Sequence, residues 1–226
     1  MCLSSPWCRA AWWAGLTRKV EVVTTRLLNA ERSRQTRRTL LDAGRALFAD
    51  VGYARTTTGE LVQRAGVTRG ALYYHFRDKT ALFAAVFEEV YQESLQAMRT
   101  CMETAEGDTW ERFLESLRAL TEQLGRPGVQ RIVSDGPAIL GPFRVRHGTL
   151  GPQFLRAVFE QLVAEGVMKP LPLDPMSRLV WTTCFEAALY TAQTETSAEG
   201  RQEMIVALLC LIGGLRRKRE AEGRQD

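Results

Sequence analysis

The sequence predicts an all-α protein in which an N-terminal three-helix domain of helix-turn-helix form is joined by a long helix to a larger C-terminal helical domain. Three observations carry this. Apolar residues recur at three- and four-residue intervals in every periodic segment, no run alternates as a half-buried strand does, and glycine or proline pairs cut the second half of the chain into helix-length pieces. With 226 residues, 45% hydrophobic and 25% charged, the chain has the ordinary mixture of a globular protein of one or two domains and can bury its own core. Its apolar runs fall far short of the ~20 residues that cross a bilayer, so no membrane partner is expected, and its composition is neither collagen-like nor that of long disorder.

Residues 1–30 hold Trp7, Trp12 and Trp13, but Arg9 interrupts the apolar run and no basic segment precedes it, which argues against a secretory signal. Low order is expected there. Helical periodicity begins near Arg32, so translation is expected to start at an internal valine or leucine codon such as that of Val23 or Leu28, and N-terminal sequencing of the native protein decides this. The alternative is a mobile basic arm in which Arg18, Lys19 and Arg26 add nonspecific affinity for a polyanion.

Leu40, Ala43, Leu47, Phe48 and Val51 draw one apolar stripe down a helix from about Gln35 to Asp50, and Gly52 ends it. Thr57-Thr58-Gly59-Glu60 is a capping box: the Thr57 hydroxyl accepts from the Glu60 amide while the Glu60 carboxylate reaches back. The second helix therefore runs from about Thr58 to Arg64, buries Leu61 and Ala65 and stops at Gly66. Val67 plugs the turn, Thr68 caps the third helix, and Leu72 and Phe76 share its inner face. Two short helices joined by a tight glycine-containing turn make a helix-turn-helix. Arg69, Gly70, Tyr73, Tyr74 and His75 are left outside, an unusual surface for aromatic residues. Residues 31–78 form this domain.

Charge agrees with a polyanion partner. Residues 1–100 carry 15 Lys+Arg against 9 Asp+Glu, and residues 101–226 carry 15 against 17. The five cysteines, Cys2, Cys8, Cys101, Cys184 and Cys210, are odd in number and lack CxxC spacing, so they read as reduced thiols in a cytoplasm, with neither a disulfide frame nor a zinc site. No nucleophile–base spacing, metal cluster or phosphate loop supports an enzyme, and no cofactor is expected.

Asp78 caps a long helix with the stripe Leu82, Phe83, Val86, Phe87, Val90, Tyr91, Leu95 and Met98, its Glu88, Glu89 and Glu93 facing water. Further helices follow around Trp110–Leu120, Val129–Leu140, Phe154–Val163, Leu179–Tyr190 and Met204–Leu215. Breakers separate them at Pro127-Gly128, Gly141-Pro142, Gly151-Pro152 and the Pro170/Pro172/Pro175 cluster. Residues 79–220 make this second helical domain, with 221–226 a tail. The last two helices carry more apolar surface than one core needs, which predicts a symmetric homodimer; Arg216 to Arg219 then cap the final helix dipole. Trp110, Phe113, Phe143, Phe154, Phe159, Trp181 and Phe185 are candidates to line an apolar ligand cavity, with Asp135, His147 and Glu186 as polar anchors.

Gly52-Tyr53, Thr56-Thr57, Glu60-Leu61-Val62, Ala65-Gly66-Val67-Thr68-Arg69-Gly70 and Leu72-Tyr73-Tyr74-His75-Phe76, with Lys79 and Leu82 after them, closely resemble the DNA-binding domain of TetR-family (tetracycline-repressor-type) bacterial regulators over about Gln35 to Tyr91. Thr58 and Gly59 depart from the usual pattern, an apolar and then a polar residue, and the glycine costs up to ~1 kcal/mol of helix stability. The resemblance implies a regulator, a repressor in the first instance, that binds a palindromic duplex operator as a homodimer and is released by an unidentified small apolar inducer. The alternative is a ligand-independent nucleoid-associated or protein-interaction factor of the same fold. Arg69 has the fork that reads guanine O6/N7, Gly70 lets the backbone approach closely, and Ala71 touches a thymine methyl or belongs to the core. The resemblance also gives Thr57, Tyr73, Tyr74, His75 and Lys79 phosphate contacts, with the Thr68 cap beside them. Each has a plain alternative: Thr57 a cap only, His75 a core residue, one tyrosine packed on the next helix, Lys79 a solvated side chain. The same resemblance places the last two helices in a four-helix dimer interface.

Overall fold

The computed structural model describes the backbone of residues 6–141, 150–192 and 198–217 and, within these, the side chains of 28–141, 150–191, 199–200 and 202–217. Nine helices lie in the described residues: α1 (Pro6–Val51), α2 (Thr58–Ala65), α3 (Arg69–His75), α4 (Lys79–Thr104), α5 (Thr109–Leu124), α6 (Pro127–Leu140), α7 (Leu150–Ala164), α8 (Leu173–Ala192) and α9 (Ala198–Gly213). No strand occurs among them, and an isolated bridge between Met168 and Arg216 ties the chain beyond α9 to the turn after α7. As backbone, α1 extends upstream of Gln35 through the stretch for which low order was expected. No proline after Pro6 interrupts that stretch.

Leu40 and Phe48 of α1, Leu61 of α2, Leu72 of α3 and Leu82 and Phe83 of α4 are fully buried together and form the core of the head. α2 starts on the expected capping box, the Thr57 hydroxyl accepting from Glu60 N at 3.2 Å and the Glu60 carboxylate from Thr57 N at 2.8 Å. It ends on Gly66, whose φ of 63° is left-handed, as the sharp turn into α3 requires. Thr68 accepts from Ala71 N at 3.2 Å to start α3, and Asp78 accepts from Ala81 N at 2.7 Å to start α4.

The head is braced on the larger domain in two ways. Two of the α4 glutamates expected to face water reach α1 instead: Glu93 takes a bidentate pair from Arg45, and Glu89 an ion pair from Arg38 at 3.3 Å. The pairing raises the Arg45 pKa and lowers that of Glu93. Glu88 does point to solvent. From the other side, Arg131 of α6 donates to the Asp50 carbonyl, and Asp135 Oδ2 accepts from Tyr53 N at 2.8 Å. α6 itself lies close on α4, since a Cβ at Gly136 would stand 2.5 Å from the Phe87 ring.

Three expected breaks lie inside helices. Pro127-Gly128, Gly151-Pro152 and Pro175 occupy the first turns of α6, α7 and α8, where proline's missing N–H has no intrahelical partner to lose. Gly151 is fixed there by its surroundings: its amide donates to the Tyr91 hydroxyl at 2.8 Å, and a Cβ would enter the face of the Trp181 indole. Burial pushes the Cys184 thiol pKa up to about 12, so this cysteine is a neutral core residue. No helix among the described residues is long and apolar enough to cross a membrane, and no group of three or more potential metal ligands is found among them.

Candidate nucleic-acid interface and buried cavity

The two faces of α3 divide as the spacing requires. Leu72 and Phe76 close the inner face against α1, while Arg69, Gly70, Tyr73 and Tyr74 are exposed and Ala71 and His75 half-buried. Both tyrosines stand outside, at 54% and 79% exposure, so neither packs on the next helix. Large hydroxylated rings left in water on the last turn of α3 suit a charged, hydrogen-bonding surface better than an apolar one. The Tyr74 ring meets His75 edge-on at 5.0 Å.

Arg69 heads α3 with no ion-pair partner among the described residues, its guanidinium free to take a new acceptor. A Cβ at Gly59 would lie 3.8 Å from Arg69 Nη2, so the bare backbone of α2 provides the shelf over which this side chain extends. A side chain larger than a methyl at position 59 would share that space. The glycine that weakens α2 thus gives room to the Arg69 side chain.

Thr57 and Lys79 already have work inside the protein. The Thr57 hydroxyl accepts from Glu60 N and donates to the Glu60 carboxylate at 2.8 Å, and these bonds hold the Glu60 pKa below its ordinary value. Lys79 Nζ donates to the carbonyls of Tyr53 at 2.8 Å and Thr56 at 2.7 Å and stands 4.1 Å over the Tyr53 ring. Desolvation lowers its pKa, and one of its three N–H donors remains for an external partner. Arg37 of α1, which no local pattern sets apart from other solvated arginines, lies 5.2 Å from the Phe76 ring and adds positive charge beside α3.

A cavity opens where α4, α5, α6 and α8 converge. Phe87, Val90, Tyr91, Ser94, Leu120 and Leu124 line it, closed by Val133, Trp181 and Phe185. Trp181 and Phe185 are therefore the two sequence candidates placed in this wall. Trp110, Phe113 and Phe159 pack with one another instead, with ring centroids 5.8 and 5.5 Å apart. Phe154 is half-buried against Arg99, Glu186 is exposed, and Asp135 serves the head through Tyr53. Phe143 and His147 lie outside the described residues, as do Lys218, Arg219 and the tail. Sequence reasoning missed most of this wall because its α4 and α5 members share the periodic stripe of an ordinary core.

The chain matches known families over both of its parts. Residues 40–86 match the family model for bacterial regulatory proteins of the tetR family, and residues 110–215 that of the tetracyclin repressor-like C-terminal domain. The transcriptional regulator AcrR of Shigella flexneri is 43% identical over 58 residues, 26% of this chain and 27% of that protein. Thus the chain spans about a quarter of the length of the first curated relatives it matches. The transcriptional repressor AcnR of Corynebacterium glutamicum is 26% identical over 194 residues, 81% of this chain and 94% of that one. The crystal structure of a TetR-family transcriptional regulator from Pectobacterium atrosepticum superposes with a TM-score of 0.74 at 34% identity, covering 83% of this chain and 97% of the other. With the helix-turn-helix head, the helical second domain and both family matches in agreement, the chain belongs to the TetR family of bacterial regulatory proteins.

Proposed function

We propose that this protein is a DNA-binding transcriptional repressor that holds a palindromic operator as a homodimer in the cytoplasm and is released by a small apolar ligand. It acts by binding, not by catalysis. The observation that carries the reading is the outer face of α3, where Arg69, without an ion-pair partner among the described residues, and two exposed tyrosines surround the bare backbone of Gly70 while Leu72 and Phe76 seal the inside. Arg69 reads a base edge; Tyr73, Tyr74, His75 and the remaining donor of Lys79 take phosphates, and Thr57 does so if its hydroxyl turns from Glu60. Thr68 supplies the cap, and Ala71 stands at the rim of the contact.

Release follows from what the cavity wall touches. Val133 lines the cavity on α6, and two residues further along the same helix Asp135 holds Tyr53. The cavity has room for no more than about one molecule the size of water, so any larger ligand moves its walls. A state with α6 and α4 displaced carries the heads away from the ~34–36 Å spacing that successive major grooves demand, and the ligand favours it only through tighter binding to that state.

A selection from random duplexes with the purified protein tests the reading. Enrichment of a palindrome with half-sites one helical turn apart is expected, and enrichment of nothing overturns it. The latch has its own test. Asp135→Ala leaves the Tyr53 amide without its acceptor at a cost of ~1–3 kcal/mol. In a chain of this size that lowers the midpoint of thermal unfolding by roughly 2–12 °C. Asp135→Asn keeps an acceptor oxygen and is expected to restore most of the loss in calorimetry; equal melting of all three proteins would remove the latch.

A further inference from the structure

The fold of α2 does not call for a glycine at position 59. Gly66, which ends the same helix, has the left-handed φ that side chains rarely adopt, and Gly136 and Gly151 are required because a Cβ would enter the Phe87 and Trp181 rings. Gly59 is under neither constraint. It lies in the first turn of α2, and the atoms nearest to a Cβ there are Arg69 Nη2 and Thr57 Oγ1, both at 3.8 Å, an ordinary contact distance. A glycine in that place weakens the helix without relieving any clash in the core. Gly70, next to Arg69 on α3, is alike: beyond its chain neighbours a Cβ would meet only Thr68 Oγ1, at 3.8 Å.

What the two glycines share is Arg69. Gly59 is half-buried although no core side chain lies over its Cβ position, and the group across from it is the guanidinium. The arginine therefore leaves α3 and lies back across the first turn of α2. No ion pair among the described residues pins it there. Glu60, the acid beside Gly59, has its carboxylate turned to the amide and the hydroxyl of Thr57, each at 2.8 Å. The donors of Arg69 thus stay open to an outside acceptor, and the place from which they are offered is set by shape, by what stands at residue 59.

Resting on the DNA-binding reading above, in which Arg69 reads a base edge, we infer that Gly59 is the positioning residue of that contact and so a determinant of operator specificity. Its empty Cβ site lets the guanidinium lie against α2, and a long side chain at 59 moves it outward. The tip of a leucine is three carbon–carbon bonds of ~1.5 Å from its Cα, so the displacement is comparable with the ~3.4 Å rise between successive base pairs. A shift of that size takes the fork away from the O6 and N7 of one guanine, to the neighbouring step or out of reach of both. The base preferred at that step depends on residues 59 and 69 together, one from each helix of the motif.

Selection from random duplexes with the full-length protein and its Gly59→Ala and Gly59→Leu variants tests this, followed by titration of the selected operator and of duplexes changed at the guanine that Arg69→Ala ceases to prefer. The loss of guanine preference is expected to grow with side-chain size: less than threefold for alanine, whose methyl fits at 3.8 Å, and at least tenfold for leucine, or a different base selected at that step. Neither variant should melt below the unaltered protein, since both residues favour helix over glycine. Gly59→Met, of similar reach, repeats the test should the leucine variant fold poorly. In the Arg69→Ala background, Gly59→Leu should leave affinity for operator and random duplex alike within twofold, because the group it acts through is gone. An undiminished guanine preference in Gly59→Leu and Gly59→Met overturns the inference and leaves the regulator intact. So does a tenfold fall in duplex affinity in the Arg69→Ala background, which would mean that the leucine meets DNA itself. An unaltered protein that selects no operator, or one indifferent to Arg69→Ala, removes the reading of Arg69 and this inference with it.

Discussion

Arg69→Ala is expected to abolish sequence preference while the protein stays folded, dimeric and able to bind DNA nonspecifically. The side chain is exposed, forms no ion pair among the described residues and does not cap α3, since that is done by the Thr68 hydroxyl. Its removal should therefore change stability by no more than ~0.5 kcal/mol. Bidentate readout of guanine is worth ~1–3 kcal/mol per contact, and a symmetric dimer makes the contact twice. The loss of operator over random duplex is then ~2–6 kcal/mol, or roughly thirtyfold to twenty-thousandfold. Affinity for random duplex should fall only slightly, because the hydroxyls and amides that face phosphates are untouched. Fluorescence anisotropy with the selected operator and a scrambled duplex reads both quantities. Arg69→Lys sharpens the result: it keeps the charge but not the fork, and is expected to behave like alanine toward the operator and like arginine toward random DNA. An operator preference preserved in both variants would falsify the role of Arg69 as base reader.

What could be read from the sequence, and what could not, follows from the range of the interactions. The turn from α2 into α3 was legible residue by residue because its determinants are local: Thr57 and Glu60 are three residues apart, and Gly66 and Thr68 act on their immediate neighbours. Helical periodicity likewise identified Leu72 and Phe76 as the inner face. The braces of the head were invisible for the opposite reason. Arg45 and Glu93 are 48 positions apart, Tyr53 and Asp135 82, and an acidic stripe on α4 looks the same whether it meets water or an arginine. The cavity fared worst. Period 3.6 marks a side chain as inward-facing but cannot say whether it meets another side chain or a gap, so Phe87 and Val90 looked like core while Trp110 and Phe113, which are core, looked like cavity wall. Gly151-Pro152 misled as a break because proline at the start of a helix and proline between helices are the same two letters.

Leu211→Glu is expected to separate the protein into monomers and thereby cost most of its operator affinity. On α9, Leu208 and Ile212 are buried against the chain's own core, yet Val206 and Leu211 are 51% and 64% exposed. On α8, Val180, Trp181, Cys184 and Phe185 face inward while Leu179 and Tyr190 stand 62% and 43% exposed. The two helices pack on each other, and both leave apolar residues in water on faces that their own domain does not cover. A second copy related by a twofold axis covers such a face with itself. Because Leu211 is exposed in a single chain, glutamate there should leave the melting of the isolated fold nearly unchanged, but it places an unpaired carboxylate in the middle of the paired state. The consequence for DNA is larger than the interface itself. In the dimer, the second head binds at an effective concentration in the millimolar range, and losing that linkage weakens operator binding ~10²–10⁴-fold. Sedimentation equilibrium and operator titration measure the two effects. The monomer should still prefer the correct half-site through Arg69, whereas Arg69→Ala should stay dimeric and prefer nothing. That opposite pairing of defects separates the reading helix from the surface that sets its spacing; a Leu211→Glu protein that remained dimeric with full affinity would place the contact between copies elsewhere.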